Sequence, residues 1–490
     1  MYRKIVVLLT ALIVGMLGAG CAGRPPGAEK AKGQPVPPPQ ACFHPPYDKL
    51  CSSIPHDITE TFGLGYSSLN ARQQRDFDNF SWQSFVALNW PANNDGTPSA
   101  KSILEDAAAP RVWEFYPSPF QLFGQILAGE NRTTPEVRLR ASRKKPRRFF
   151  TMLATRSNPP NLKPSSFTEA GTDLPLIDRN LNYVVYDIAV NSIEFDYIKN
   201  NQLNTKKGQE AFQEQGKRIS FPLGAYEDSE KKTGGSIGAM EIKTAWRLLD
   251  PKKEDKKKYY TVEGEIYVDT AHSESGQPLT IPATLGLVGF HVIQRTSGPP
   301  RQPQDWIWST FEHVENAPLA GNAREATDIS LPLPAAGTPP KTVDRTYSFF
   351  NADFKGPTNE PPPLPKGETV YKWAAKPPYA ATYAFDKKYG TQVVRCWKIF
   401  PATEDVNKYF QKLLKGTVWE NYQLIGSQWM GGVENPQLEN GNIPRYLSNT
   451  TLETYLQFKP IGSCLACHSY AQTAVQGQSA NFSFLLMRVR

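Results

Sequence analysis

Apolar side chains along the chain follow two rhythms, which change over near residue 149 and again near residue 400. Between Ala71 and Asn89, Phe77, Phe80, Phe85, Val86 and Leu88 recur mainly three to five residues apart. That spacing puts them on one face of a helix, and Pro91 ends it. From Phe149 onward branched and aromatic residues cluster, several of them alternating with polar ones. This predicts strands over Phe149–Ala154, Asn182–Ala189, Ile219–Pro222, Ala239–Arg247, Lys258–Val268, Leu285–Arg295, Trp306–His313 and Thr391–Phe400. Within Lys258–Val268, Tyr259, Thr261, Glu263 and Glu265 oppose Tyr260, Val262 and Ile266, the alternation of a half-buried strand. Helical spacing returns late. Thr403 caps a segment with Glu404 and Asp405 in its first turn and Val406, Tyr409, Phe410, Leu413 and Leu414 as its apolar face. Thr450-Thr451-Leu452-Glu453 fits a capping box and predicts a second short helix that stops at Pro460. The expected fold class is α+β: a β-rich body over 42–400 that begins with an amphipathic helix, and a small helical segment over 401–490.

Length and proline content refine the picture. About 450 residues follow the N-terminal 40, which allows two or three domains, but no Gly/Ser linker divides them. Eleven prolines lie between Leu331 and Pro378, which predicts long ordered loops over a large body.

The N-terminus carries an address. Arg3 and Lys4 precede a run of 13 mostly apolar residues, Ile5 to Leu17, then Gly18-Ala19-Gly20-Cys21. The run is too short to span a bilayer, so residues 1–20 read as a signal peptide. Leu17-Gly18-Ala19-Gly20-Cys21 resembles a bacterial lipobox, with the large aliphatic residue one place early. In that reading Cys21 is lipidated, and Ala22 after it sorts the protein to the outer membrane. The alternative is ordinary signal cleavage. Six prolines in Ala22–Gln40 make residues 21–41 a solvated tether. Cys42 and Cys51 stand nine apart in a loop-like segment and are expected to form a disulfide. Cys396, in an apolar run, reads as a buried inert thiol.

Removing Arg3 and Lys4 with the signal takes the formal charge from +8 to +6. Basic residues cluster at 143–148 and 252–258. Nucleic acid is not an expected partner for an exported chain. Anionic lipid or an acidic redox protein is one reading of these clusters, and solvated loop tips are the other.

The most specific chemistry lies near the other end, in Cys464-Leu465-Ala466-Cys467-His468. Two thiols at i and i+3 can each form a thioether to one porphyrin, and the histidine that follows is placed to ligate the iron. Six Cys and six His in 490 residues would give this run by chance only about 0.001 times, so composition does not account for it. A redox dithiol or half a zinc site are the rivals. The first needs a strand before the motif, and Pro460-Ile461-Gly462-Ser463 does not resemble one. The second needs further ligands at short spacing, and no second C-x-x-C is present. One covalent haem c is therefore the expected cofactor. Only 22 residues follow His468, so the body must supply much of the pocket wall.

The second axial position decides between an electron carrier and a ligand-binding site. Met487 is nearest in sequence. His291 and His313, each among apolar residues, are the distant candidates, Met430 is another, and an open position is the remaining alternative. Arg395, Arg445 and Arg488 are candidates for pairing with propionates. There is no Walker loop, dinucleotide fingerprint, H-E-x-x-H or G-x-S-x-G run.

Phe80–Pro91, Trp306–Asn316, Asn449–Leu456, the C-x-x-C-H run and Asn481–Leu486 together resemble large bacterial monohaem proteins known as "cytochrome c family protein". The resemblance implies an exported haem protein without an assigned reaction. It carries over Cys464, Cys467 and His468, and no catalytic residue. The expected function is single-electron transfer between periplasmic or membrane redox partners, by a protein tethered on the periplasmic side of a bacterial membrane. Two alternatives stand beside it: a haem oxidoreductase with an open distal site, and a haem-containing sensing or binding module.

Overall fold

The computed structural model describes residues 50–58, 69–123, 148–152, 172, 174–225, 235–250, 252, 254–297, 306–328, 332–364, 367–380, 389–429 and 444–489. The expected signal, lipobox, tether, Cys21, Cys42, Met430 and residues 143–147 of the first basic cluster lie outside them. Cys51 is disulfide-bonded, whereas Cys396, Cys464 and Cys467 are free thiols.

In chain order the helices and strands are α1 Leu69–Leu88, α2 Pro119–Phe123, β1 Arg148–Met152, β2 Val185–Val190, α3 Ser192–Asn200, α4 Lys206–Glu214, β3 Met240–Leu249, β4 Thr261–Val268, β5 Leu279–Arg295, β6 Trp306–His313, β7 Leu319–Glu325, β8 Arg395–Lys398, α5 Pro401–Leu413, β9 Tyr422–Trp429 and α6 Cys464–His468. Helices mix with a largely antiparallel sheet, so the class is α+β.

The 17-residue β5 is the spine of the main sheet. One of its edges pairs with β3, which pairs with β2. The other edge is shared: β4 takes Leu279–Gly286 and β6 takes Gly289–Arg295. Beyond these lie β1, parallel to β4, and β9, antiparallel to β6. β7 and β8 form a separate parallel pair. β9, which lies C-terminal to residue 400, belongs to the main sheet. Residues Pro39–Arg490 contact one another as one unit.

Successive side chains of a strand point to opposite faces, and the two faces of this sheet take different partners. On one face Phe290 and Val292 of β5 pack with Ile242, Phe311 and the α1 residues Trp82, Phe85 and Val86 in the largest core cluster. The other face carries Ile293 and Trp308, which cluster with Leu465, Leu485, Leu486 and residues of α3 and α4. Polar groups also fix α1 to the sheet. Ser81 Oγ lies 2.7 Å from Ser309 Oγ and 2.6 Å from Ser427 Oγ, and Trp82 Nε1 donates to Asn407 Oδ1 of α5 at 2.9 Å.

Four local expectations are corrected. Ile219–Pro222 has no ladder partner among the described residues, and the expected strand over Thr391–Phe400 narrows to β8. Thr403 does not cap α5. The helix starts at Pro401, which suits a first position that needs no N–H partner, and Thr403 Oγ1 instead donates to Asp78 Oδ2 at 2.6 Å. The box at Thr450–Glu453 opens no α-helix. The Asn449 N–H donates to Glu453 Oε2 at 3.1 Å and its Oδ1 accepts from the Thr451 N–H at 2.9 Å, and Glu453 leads into a 3-10 turn at Thr454–Leu456.

Asp78 also accepts from Gln74 Nε2 and Ser427 Oγ, at 2.8 and 2.9 Å. Burial nevertheless outweighs these bonds and pushes its carboxyl up to about 6. A carboxyl with a raised folded pKa stabilises fully only below its unfolded value near 3.9, and that contribution is lost as pH rises through about 6. Between pH 4 and 7 the wild type should therefore lose on the order of 2–3 kcal/mol of stability relative to Asp78→Asn, whose site does not titrate. Urea unfolding of both proteins at the two pH values checks this, and an unchanged gap contradicts it.

Candidate functional site

The C-x-x-C-H run forms α6, a five-residue helix docked on the second sheet face. Ser463 is its N-cap and accepts from the Ala466 N–H at 3.4 Å. Gln428 of β9, wholly buried, holds its start: Oε1 accepts from Ser463 Oγ and from the Leu465 N–H, both at 3.2 Å. The same side chain donates through Nε2 to the carbonyls of Arg445 (2.7 Å) and Pro444 (3.1 Å). One glutamine thus clamps both ends of the strap 444–463 that leads into the motif.

The strap lies against the sheet because two strand positions have no side chain. A Cβ on Gly289 would stand 2.4 Å from Thr451 Oγ1, and one on Gly426 would stand 2.8 Å from Leu447 Cδ2. Its polar residues bind strand edges. Asn449 Nδ2 donates to Thr310 Oγ1 and the Phe311 carbonyl at 2.9 and 3.0 Å. Thr450 donates to Glu312 through its N–H (2.7 Å) and hydroxyl (2.6 Å).

His468 Nδ1 lies 2.7 Å from the Phe482 carbonyl, an oxygen that can only accept, so Nδ1 carries the proton and the Nε2 lone pair is left uncommitted. That carbonyl is aimed by a bend in which Asn481 and Phe482 both adopt left-handed backbone, with φ of 50° and 68°. Two contacts hold the bend: Asn481 Oδ1 accepts from the Phe221 N–H at 3.1 Å, and its carbonyl accepts from Trp306 Nε1 at 2.9 Å. The imidazole sits 5.9 Å from the Trp308 ring and 5.2 Å, edge-on, from Phe484. Burial holds His468 down to about 4, against the pull of the Phe482 carbonyl, so the ring is neutral near pH 7.

Both thiols stand free. Burial pushes Cys464 well above the usual thiol range and Cys467 up to about 11, and the Glu453 carboxylate adds to each. A working redox dithiol depends on the opposite shift, toward thiolate. Among the described residues no group of three or more His, Cys, Asp or Glu is arranged to hold a metal ion, so a zinc site finds no further ligands there. The donor set fits a c-type haem better: two unbridged thiols at i and i+3, and a neutral histidine whose other nitrogen is anchored to a backbone carbonyl.

The remaining candidates separate. His291 lies on the same sheet face as the motif, between its Cα partners Lys243 and Thr310. His313 is tied at both nitrogens: Nε2 pairs with the Lys258 carbonyl at 3.0 Å, and Nδ1 accepts from the Glu315 N–H at 3.1 Å. Its ring stacks on Tyr259 at 4.2 Å, which leaves no lone pair for iron. Met487 is half-buried in the 3-10 turn Phe484–Arg488. Residues i and i+3 of such a turn share a face, so it lies beside Phe484, which already flanks His468.

Arg395 is committed elsewhere. Its guanidinium makes a bidentate pair with Glu312, Nη1 donating to Oε1 at 3.1 Å and Nη2 to Oε2. Arg488 is half-buried near Glu241, and desolvation holds it down to about 10. Arg445 lies over the Tyr446 ring. Near Ser483 and Arg488, burial pushes the carboxyls of Glu194 (α3) and Glu241 (β3) up, and each feels the other. Of the second basic cluster, Lys256–Lys258 form an exposed turn capped by Asp255, with Lys258 Nζ 2.6 Å from Glu315. These are features of a solvated loop tip.

No helix among the described residues is long and apolar enough to cross a membrane. Comparison with family models, curated proteins and solved structures finds no match to the chain.

Proposed function

We propose that the chain is an exported c-type haem protein, tethered by a lipid on Cys21 to the periplasmic side of a bacterial membrane, that passes single electrons between redox partners. One observation carries the reading. Cys464 and Cys467 are free thiols beside His468, whose Nδ1–H is fixed on the Phe482 carbonyl so that Nε2 is available. Cys464 and Cys467 would hold the porphyrin by thioethers, and His468 would ligate the iron. When bound, a haem supplies a one-electron iron couple. The chain's own part is to orient and to exclude water. The Phe482 carbonyl sets the ring and tautomer of His468, Gln428 fixes the start of α6, and Trp308 and Phe484 shield the imidazole.

Produced in a host with c-type cytochrome assembly, the wild type should gain the mass of one haem and stay red through acid-acetone extraction. Cys464→Ala/Cys467→Ala should lose both properties while remaining folded. A wild type without the mass gain overturns the reading. Cys21→Ala should appear in the soluble periplasm; a membrane-bound variant contradicts the tether.

A further inference from the structure

Trp308 is buried, 2% exposed, and its indole N–H makes no hydrogen bond. An indole nitrogen can only donate, and a buried one ordinarily finds an acceptor. Trp306, two residues earlier on the same strand face, follows that rule and donates to the Asn481 carbonyl. Trp397 and Trp419 also carry unpaired N–H groups, but they lie in other core clusters. Trp308 is set apart by where it stands.

Its ring forms part of the wall around the C-x-x-C-H run. It packs in one cluster with Cys464, Leu465, Phe482 and Phe484. The ring centre is 5.9 Å from that of His468 and 5.7 Å, edge-on, from that of Phe482. On the adjoining strand its Cα partner is Gln428, the residue that holds the start of α6. The polar acceptors of this wall are engaged. The Phe482 carbonyl takes His468 Nδ1, the Asn481 carbonyl takes Trp306 Nε1, and Gln428 Oε1 takes Ser463 Oγ and the Leu465 N–H. Ile293, Leu485 and Leu486, in the same cluster, are apolar. The chain thus sets a donor beside His468 and supplies no acceptor for it, so the acceptor has to arrive with what the site binds. In a haem the pyrrole nitrogens are engaged by the iron and the vinyl groups by the two thioethers. The propionate carboxylates are left to accept, and an ionised acceptor makes the stronger bond. Arg395, a guanidinium that could have met a propionate, is committed to Glu312.

We propose that the Trp308 indole N–H donates to a propionate carboxylate of the haem held by Cys464, Cys467 and His468. The inference rests on the haem reading above. It gives Trp308 two duties: the ring shields the imidazole, and the N–H holds one edge of the porphyrin. A hydrogen bond to the ionised form keeps that propionate charged to lower pH, so Trp308 helps set how the iron potential depends on pH.

The test uses full-length protein matured with its haem, with loading read by mass. Ultraviolet resonance Raman spectra report whether an indole N–H is hydrogen-bonded, and visible-excited spectra report the propionate bending band. The difference between wild type and Trp308→Phe should show a hydrogen-bonded indole. Trp308→Phe keeps an aromatic ring without the N–H. It should retain covalent haem, shift the propionate band, and move the pH-dependent step of the reduction potential to higher pH. Should Trp308→Phe fold poorly, wild type is compared with Cys464→Ala/Cys467→Ala protein isolated without haem, and an indole should pass from free to hydrogen-bonded on haem loading. A haem-loaded Trp308→Phe protein with an unchanged propionate band and potential profile overturns the proposal. So does a Trp308 indole that is free in the loaded wild type, or one already hydrogen-bonded without haem, where a buried water is the acceptor. A wild type without the haem mass overturns the haem reading itself, and this inference with it.

Discussion

Replacing Glu312 with alanine should destabilise the protein by about 3–5 kcal/mol and loosen the strap that leads into the C-x-x-C-H run. The carboxylate is wholly buried and accepts four hydrogen bonds, two from Arg395 and two from Thr450. Alanine strands the Arg395 guanidinium, whose side chain is only 7% exposed, and leaves the Thr450 N–H and hydroxyl without an acceptor. The cost comes from the charge left behind, so removing both charges should undo most of it. Glu312→Met/Arg395→Met should recover at least half of the loss, because an apolar pair of similar volume avoids the desolvation that the ion pair must offset. Urea or guanidinium unfolding of the three proteins checks the order. A Glu312→Ala protein within 1 kcal/mol of wild type would contradict it. On the proposed haem reading, covalent haem content should fall in both variants, since each leaves Thr450, part of the strap that delivers Ser463 and Cys464, without its acceptor.

The sequence made some of this readable and hid the rest for identifiable reasons. The C-x-x-C-H run and α1 were legible because their information is local: adjacent ligands in one case, and Phe77, Phe80 and Phe85 on one face in the other. Trp306–His313 was legible because a wholly buried strand of aromatic and branched residues has few other readings. β9 escaped notice although it is nearly as buried, because Gly426, Ser427 and Gln428 interrupt its apolar pattern. Each interruption serves a contact distant in sequence: Gly426 makes room for Leu447, Ser427 meets Ser81, and Gln428 holds the strap. The strap misled for a related reason. A helix cap and a clamp on a strand edge use the same residue types, and Asn449 and Thr450 direct their side chains to Thr310 and Glu312. The anchor of His468 was invisible in principle, because it is a backbone carbonyl aimed by the bend at Asn481 and Phe482. The separation of His313 from His291 likewise lies in hydrogen bonds that no local pattern encodes.

Gln428→Ala should cost on the order of 4 kcal/mol, an effect much larger than truncation of one polar side chain usually has. The variant leaves the Leu465 N–H and Ser463 hydroxyl without their acceptor and the Pro444 and Arg445 carbonyls without their donor, all at a site closed to water. Buried groups that lose a partner cost about 1–3 kcal/mol each, and partial relaxation of the strap reduces the total. The local consequence follows from which partners are lost. Glutamate at 428 keeps the acceptor for α6 but removes the two donors to the strap, and it adds a buried charge. Gln428→Glu should therefore be at least as destabilised as Gln428→Ala at pH 7 and should recover at low pH, where a protonated carboxyl can donate again. Hydrogen exchange at residues 444–468 should rise in both variants while the β2 and β3 amides, on the far side of the sheet from β9, keep their protection. If exchange rises uniformly through the sheet, Gln428 is a general core residue. If it rises in the strap and α6 alone, this side chain is the fastener that keeps Cys464 to His468 in place.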